Sequence, residues 1–144
     1  MLLLSYLRES RQQAIEGLRK RNLKDAEGMV SEVIRLDDER KQTQTQLDKI
    51  KADINTRSRE IGELMKSKQN DQANRLREEV AGWKTEVKTL EDKLALLESD
   101  LRISLYKIPN VPAASVPAGK SAEDNIVAYQ HGAIPVLPEG SLPH

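Results

Sequence analysis

Two runs of apolar residues, each with alternating spacings of four and three, constrain the fold of this chain most. The first run comprises Leu36, Leu47, Ile50, Ile54, Ile61 and Leu64. The second run comprises Leu76, Val80, Trp83, Val87, Leu90, Leu94, Leu97 and Leu101. This spacing is that of the seam of a left-handed coiled coil. Because a short polar stretch at residues 67–71 separates the runs, the sequence predicts two long helices folded into an antiparallel hairpin.

Pairing the two runs allows two registers, half a heptad apart. One register places Ile61 opposite Leu76, and the other places Ile61 opposite Trp83. Asp71 is a good N-cap for a helix that begins at Gln72, and such a helix needs the tighter turn of the first register. The sequence favours the first register on this ground and leaves the second one open.

The chain before the hairpin predicts a small helical base. Residues 3–21 carry apolar residues at helical intervals and predict a short first helix, after which Asn22 tolerates a left-handed conformation. Asp25 can cap a second helix, of about residues 25–67, that runs into the arm without a break, and the third helix spans about residues 72–107. A broader apolar stripe at the start of the second helix should pack on the first helix. It comprises Ala26, Met29, Val30, Val33 and Ile34.

The end of the chain is rich in proline. All six prolines lie between residues 109 and 143, so we expect no helix beyond Ile108. Residues 126–129 and 134–137 could each form a short strand, but both lack the partners of a stable sheet. The predicted fold is all-α: a long antiparallel coiled-coil helical hairpin with a short N-terminal helix packed at its base and an extended Pro-rich C-terminal tail. We expect an arm domain at residues 1–108, and a linker leading into a missing second domain at residues 109–144.

The composition supports long exposed helices and excludes several other classes of protein. Aromatic residues make up 3% of the chain and Phe is absent, so a compact core would be hard to fill. Charged residues make up 32%, as expected of solvent-exposed helices, and the formal net charge of zero by itself gives no indication of a polyanion partner. The absence of Cys excludes disulfides and thiolate metal sites. No apolar run approaches the roughly 20 residues of a membrane helix, so we expect a soluble protein.

Two further patterns resemble sites but lack the required partners. Ala118-Gly119-Lys120-Ser121 resembles the end of a phosphate-binding P-loop, but Ala114 stands where that motif needs its first Gly. His131 and His144 are the only histidines, and neither has a nearby Cys or paired carboxylates. We therefore expect neither a metal site nor catalytic residues.

Charge differs between the two halves of the predicted arm. The distal half, residues 49–88, contains ten Lys or Arg against seven Asp or Glu, whereas the base, residues 36–48 and 89–107, contains five against eight. The distal cations indicate either ordinary salt-bridge pairing along a coiled coil or a surface that contacts phosphates. Arg57, at a seam position, is interpreted as a snorkelling side chain. The candidate phosphate-contacting residues are Lys51, Arg59, Lys66, Lys68, Arg75, Arg77, Lys84 and Lys88.

The stretch after the arm carries a family resemblance. Ile108-Pro109-Asn110-Val111-Pro112, followed by Ser115-Val116-Pro117, Gly119 and Glu123-Asp124-Asn125, resembles the segment that follows the coiled-coil arm in seryl-tRNA synthetase. Similarity to that family extends over the whole chain. It includes Leu7-Arg8, Leu36-Asp37 and Arg40 at the root of the arm, and Leu142-Pro143-His144. Family members often carry Asn-Pro where this chain has Ser10-Arg11.

The resemblance implies a tRNA-binding region that recognises the long variable arm and elbow of serine tRNA through shape and phosphate contacts. The implied parent is a cytoplasmic class II serine–tRNA ligase with ATP and Mg²⁺ as cofactors. Its active site and main homodimer interface are expected beyond residue 144, so this segment should bind no cofactor and be inactive alone. We expect serine tRNA as the partner, and neither a membrane nor DNA. The alternative is a structural coiled-coil hairpin that binds a protein partner.

Overall fold

Four α-helices dominate this computed structural model, which describes residues 2–133 and 136–140. The elements are α1 at Leu4–Glu9, α2 at Arg11–Lys20, α3 at Ala26–Lys66 and α4 at Asn70–Lys107. Helices α3 and α4 form the most extensively packed pair and fold back on each other as an antiparallel hairpin. No strand occurs in the described residues. The predicted all-α hairpin is therefore confirmed.

The seam lies where the 4–3 spacing predicts it. Along the arm the seam positions are buried or half-buried, whereas nearly all intervening positions are exposed. The distal seam is mostly half-buried, because a two-helix arm has no second layer to cover it. Thr43 interrupts the seam with a hydroxyl and is nonetheless only 2% exposed. The buried apolar seam residues of the arm are Leu36, Leu47, Ala73, Val80, Leu97 and Leu101.

The turn of the hairpin is shorter than predicted. α3 ends in a Schellman motif: Lys68 is left-handed with φ 60, its N–H donates to Met65 O, and the N–H of Gln69 donates to Leu64 O. This motif reverses the chain so tightly that α4 already begins at Asn70. The predicted start at Gln72 with an Asp71 cap is therefore wrong, and Asp71 lies within the first turn of α4.

Two observations agree with the first register, which places Ile61 opposite Leu76. Only residues 67–69 separate the helices, which is the tighter turn that this register requires. Toward the base, Glu32 of α3 and Ser104 of α4 line the same surface pocket. The first register places these two residues within one position of each other, whereas the second would separate them by about two turns.

The base of the arm holds the main core, as predicted. α1 and α2 both pack against α3, and the apolar stripe at the start of α3 faces them. Asp25 caps α3 by accepting a hydrogen bond from the N–H of Gly28 at 3.2 Å, and Asn22 is left-handed with φ 61. The core cluster comprises Leu7, Ala14, Ile15, Leu18, Ala26, Val30, Val33, Leu36, Leu97, Leu101, Leu105 and Ile108.

The predicted first helix at residues 3–21 is in fact two helices. Ser10 leaves the helical region with φ −120 and ψ 38, and separates α1 from α2. Serine is a weak helix former, which favours a break at this position. The ion pair between Arg8 on α1 and Asp37 of α3, at 2.6 Å, compensates for the lost helical continuity. Tertiary contacts therefore override the helical periodicity at this point.

The tail is anchored on the C-terminal end of α2. Arg21 donates to the carbonyl of Asn110 at 2.8 Å, and the Lys20 ammonium donates to the carbonyl of Ala114 at 3.0 Å. Gly17 lies so close to the tail that an added Cβ would be 2.4 Å from Cγ1 of Val111. Residues 110–119 therefore pack back on the base of the arm.

The sequence predicts no helix beyond residue 108, and the structure differs from this expectation in one short element. A single 3₁₀ turn at Ala122–Asp124 forms because the carboxylate of Asp124 accepts hydrogen bonds from the N–H groups of Lys120 and Ser121. Residues 126–129 form no strand. The candidate strand at 134–137 includes residues 134 and 135, which lie outside the described residues. The division into domains at residue 108 stays a prediction.

Candidate nucleic-acid interface

All eight candidate phosphate-contacting residues are exposed and lie off the seam. Lys51, Arg59 and Lys66 lie on α3, and Lys68 lies in the turn. The other four lie on α4 and are Arg75, Arg77, Lys84 and Lys88. The hairpin thus gathers on the distal half of one arm residues that are separated along the chain.

Ion pairs are concentrated at the base of the arm. Eight of the ten salt bridges in the described residues involve residues 8–41. The distal half contributes Lys51 with Glu91 at 2.7 Å and Arg57 with Glu60 at 2.7 Å. Ordinary salt-bridge pairing therefore accounts for only one of the eight candidates.

The remaining candidates keep their charge available. Arg77 donates only to the amide oxygen of Asn74, at 3.3 Å. Six candidates form no salt bridge and no side-chain hydrogen bond with any residue that the structure describes: Arg59, Lys66, Lys68, Arg75, Lys84 and Lys88. Exposed cations that are not engaged in an ion pair are suited to contact phosphate groups of a ligand.

The two helices approach each other in a way that explains the Lys51–Glu91 pair. In the first register Lys51 lies level with Glu86, yet its ammonium contacts Glu91 at 2.7 Å. Side chains lean toward the N-terminus of their own helix, so Lys51 leans toward the base and Glu91 leans toward the tip. The two long side chains therefore meet across the hairpin.

Arg57 occupies the seam but keeps its charge at the surface. Its Nη1 donates to Glu60 at 2.7 Å, and its side chain is 41% exposed. The hydrogen bond that Arg57 donates to Glu60 raises the pKa of Arg57, and the nearby charges of Glu79 and Asp53 raise it further. The snorkelling interpretation is confirmed.

A buried carboxylate at the root of the arm is the main feature that the sequence analysis did not assign a role. Asp37 is 1% exposed and forms ion pairs with Arg8 at 2.6 Å, Arg40 at 2.9 Å and Lys41 at 2.8 Å. Burial alone would raise the pKa of Asp37, but the hydrogen bonds from these three cations lower it to about 2. Asp38 and then Asp37 raise the pKa of Arg8. The cluster ties α1 to α3, and the charged residues around Leu36 were its only sequence signal.

The stretch that resembles a P-loop is used internally. The N–H of Gly119 donates to the carbonyl of Lys20 at 3.4 Å, and those of Lys120 and Ser121 donate to Asp124. The backbone donors that a phosphate would require therefore already have acceptors. Nδ1 of His131 lies 3.5 Å from the hydroxyl oxygen of Tyr129. His144 is outside the described residues. No helix in the described residues has the length and apolar character needed to cross a membrane.

Comparisons with known proteins agree with this architecture. Residues 1–112 match the family model described as the seryl-tRNA synthetase N-terminal domain. The serine–tRNA ligase of Mesoplasma florum is 33% identical over 132 residues, which cover 92% of this chain and 31% of that protein. The serine–tRNA ligase of Rhizobium rhizogenes is 33% identical over 135 residues, covering 94% and 31%. That of Carboxydothermus hydrogenoformans is 35% identical over 132 residues, covering 92% and 30%.

The chain therefore spans about a third of the length of these curated relatives. The matched region includes all four helices and the first part of the Pro-rich tail. Both the long helical hairpin and the match over residues 1–112 lead to one conclusion: the chain belongs to the family of seryl-tRNA synthetase N-terminal domains.

Proposed function

We propose that this chain is the tRNA-binding arm of a serine–tRNA ligase and that it recognises the long variable arm and elbow of serine tRNA through shape and phosphate contacts. The observation that carries the proposal is the set of exposed cations on the distal arm, six of which form no ion pair with a described residue. Membership of the family directs the proposal to tRNA.

The physical properties of an RNA duplex suit recognition by a rod of this kind. The major groove of A-form RNA is too deep and narrow for side chains to read, so recognition relies on shape, 2′-hydroxyls and phosphates. From residue 36 to residue 66, the arm helix α3 extends about 45 Å at roughly 1.5 Å per residue. An arm of this length can contact a part of the tRNA far from the site at which the amino acid is attached.

The parent enzyme, on this proposal, is a cytoplasmic class II serine–tRNA ligase that acts as a homodimer and uses ATP and Mg²⁺. Its active site lies in the part of the relatives that this chain does not span. We therefore expect the 144-residue chain alone to be inactive. Serine-dependent exchange of labelled pyrophosphate into ATP measures this directly, and exchange above background would show that catalytic residues lie within the chain.

Charge reversal tests where the tRNA binds. Arg75→Glu/Arg77→Glu changes the distal arm, and Lys93→Glu/Arg102→Glu makes the same change of charge near the base. All four side chains are exposed. The distal pair should weaken binding of serine tRNA by the larger factor and reduce the log–log salt slope by up to about two units. Circular dichroism checks that helicity is unchanged in both variants.

The salt titration also needs a tRNA that lacks a long variable arm. Serine tRNA should bind more tightly than this second tRNA at every salt concentration. A larger effect of the basal pair would refute the distal location. Equal affinity for the two tRNAs would refute recognition of the variable arm, and no binding of either tRNA would favour the structural coiled-coil hairpin that binds a protein partner.

A further inference from the structure

The distal arm has two chemically different flanks. In an antiparallel two-stranded coil, the e positions of both helices border the seam on one flank and the g positions border it on the other. Here Lys51 of α3 and Glu91 of α4 both follow d positions of the seam, and their contact at 2.7 Å shows that the e positions of the two helices share one flank. The 4–3 spacing therefore assigns each distal side chain to a flank.

Cations line the first flank in the distal half. Within residues 49–88, the e positions and the adjacent b positions contain four basic residues and no acidic one. We name this surface the basic flank, and its cations are Lys51, Arg77, Lys84 and Lys88. Of these four, only Lys51 is in an ion pair with a described residue.

Carboxylates line the opposite flank. All four distal g positions beside the middle of the seam are acidic, and we name this surface the acidic flank: Asp53, Glu60, Glu79 and Glu86. Three of them come together from both helices around Arg57, which pairs with Glu60 at 2.7 Å and whose pKa is raised further by Glu79 and Asp53. A phosphate backbone approaching this flank would be repelled.

We propose that the RNA backbone lies along the basic flank of the distal arm, with the acidic flank turned away from it. This rests on the proposed function and specifies which side of the arm contacts the tRNA. The flank also has short, exposed side chains between its cations, namely Ser58, Gly62 and Ala81. Apart from the adjacent residues and the backbone of its own helix, nothing lies within 4 Å of the position that a Cβ on Gly62 would occupy, so an RNA backbone can approach the helix there.

The dimensions of the flank suit a duplex. Arg77 and Lys88 are eleven residues apart on α4, which corresponds to about 16 Å along the helix. A nucleic-acid duplex carries on the order of one negative charge per 1.7 Å of its axis, so several phosphates fall within this length. The three cations of the basic flank on α4 therefore have several phosphates within their span.

Matched charge reversals on the two flanks test the proposal in the 144-residue chain. Arg77→Glu/Lys84→Glu changes the basic flank. Lys49→Glu/Lys93→Glu makes the same change of charge on the side of the arm that carries the acidic flank, at residues that are likewise exposed and form no salt bridge within the described chain. Binding of a serine tRNA transcript is measured across a salt titration, and circular dichroism confirms intact helicity.

The basic-flank variant should lower the log–log salt slope by up to about two units. Between about 50 and 200 mM salt, the loss of affinity should then be roughly tenfold smaller than for the unaltered chain. The control variant should change the slope by less than about half a unit. An equal or larger effect of the control, with normal binding by the unaltered chain, overturns the flank assignment alone. Failure of the unaltered chain to bind serine tRNA overturns the proposed function, and with it the flank assignment.

Discussion

Replacing Asp37 with asparagine tests the charge that organises the root of the arm. The carboxylate is 1% exposed and is shared by Arg8 of α1 and by Arg40 and Lys41 of α3. Asparagine has nearly the same shape and keeps one acceptor oxygen. It removes the negative charge, however, and presents an NH₂ group to cations. The variant should therefore weaken the attachment of α1 to α3 without creating a cavity.

The pKa of Asp37 gives the size and sign of the effect. Folding lowers this pKa from 3.8 to about 2, so the folded state favours the charged carboxylate. One pKa unit corresponds to about 1.4 kcal/mol, so the charge contributes roughly 2–3 kcal/mol to the free energy of unfolding at neutral pH. A group with a lowered folded-state pKa keeps its contribution above its unfolded pKa, here 3.8. The contribution is lost as the pH falls from there toward 2.

Urea denaturation followed by circular dichroism measures this effect. At pH 7, Asp37→Asn should lower the free energy of unfolding by roughly 2–3 kcal/mol, and at a pH of about 3 the difference should shrink to about half. Asp38→Asn is the control, because that carboxylate is 51% exposed and, among the described residues, forms an ion pair with Arg8 alone, so its cost should stay below about 1 kcal/mol. Equal costs for the two variants, or a difference for Asp37→Asn that does not change with pH, would refute the reasoning.

Three further predictions concern the backbone. Gly62→Ala and Gly82→Ala should each raise the free energy of unfolding by roughly 0.5–1 kcal/mol, because both lie in helices and an added Cβ would meet nothing within 4 Å beyond the adjacent residues and its own helix backbone; destabilisation in urea would contradict this. Gly17→Ala should cost roughly 1–3 kcal/mol and speed proteolysis of the tail, because its Cβ would be 2.4 Å from Cγ1 of Val111; unchanged stability and proteolysis would contradict the packing of the tail. Lys68→Gly should stabilise the chain by roughly 0.5–1 kcal/mol and raise its melting temperature, because φ at this position is 60 and glycine adopts this left-handed conformation without steric cost. A lower melting temperature would argue against the left-handed cap.

The candidate site could be predicted in part from heptad position. The 4–3 spacing determines which side chains avoid the seam, so Arg59 and Lys84 could be recognised as exposed cations from the sequence. Whether a cation is paired depends on which residue of the other helix lies beside it. Lys51 meets Glu91 across the hairpin, and Arg57 gathers carboxylates from both helices, because of the register that the turn imposes. The charge count of the distal half therefore could not show which cations remain unpaired.

The sequence by itself determined the hairpin, the N-cap of α3 and the end of α2, because their causes are local. The 4–3 spacing sets both the helical state and the face to be buried, Asp25 caps a backbone N–H three residues away, and Asn22 adopts the left-handed conformation that ends α2. The N-cap preference of Asp71 is also local, but at the turn it was outweighed by a Schellman motif at Lys68. This motif lets α4 begin earlier than that preference predicted.

Only the tertiary structure decided how the base of the arm is assembled. Arg8 and Asp37 are 29 residues apart and Lys20 and Ala114 are 94 residues apart, yet these pairs fix the bend at Ser10 and the course of the tail. A periodic pattern shows which face of a helix is buried, but not which charged residue comes to lie beneath a neighbouring helix. That depends on where separate elements cross, and the crossing is set by the packing of the whole chain rather than by any one segment.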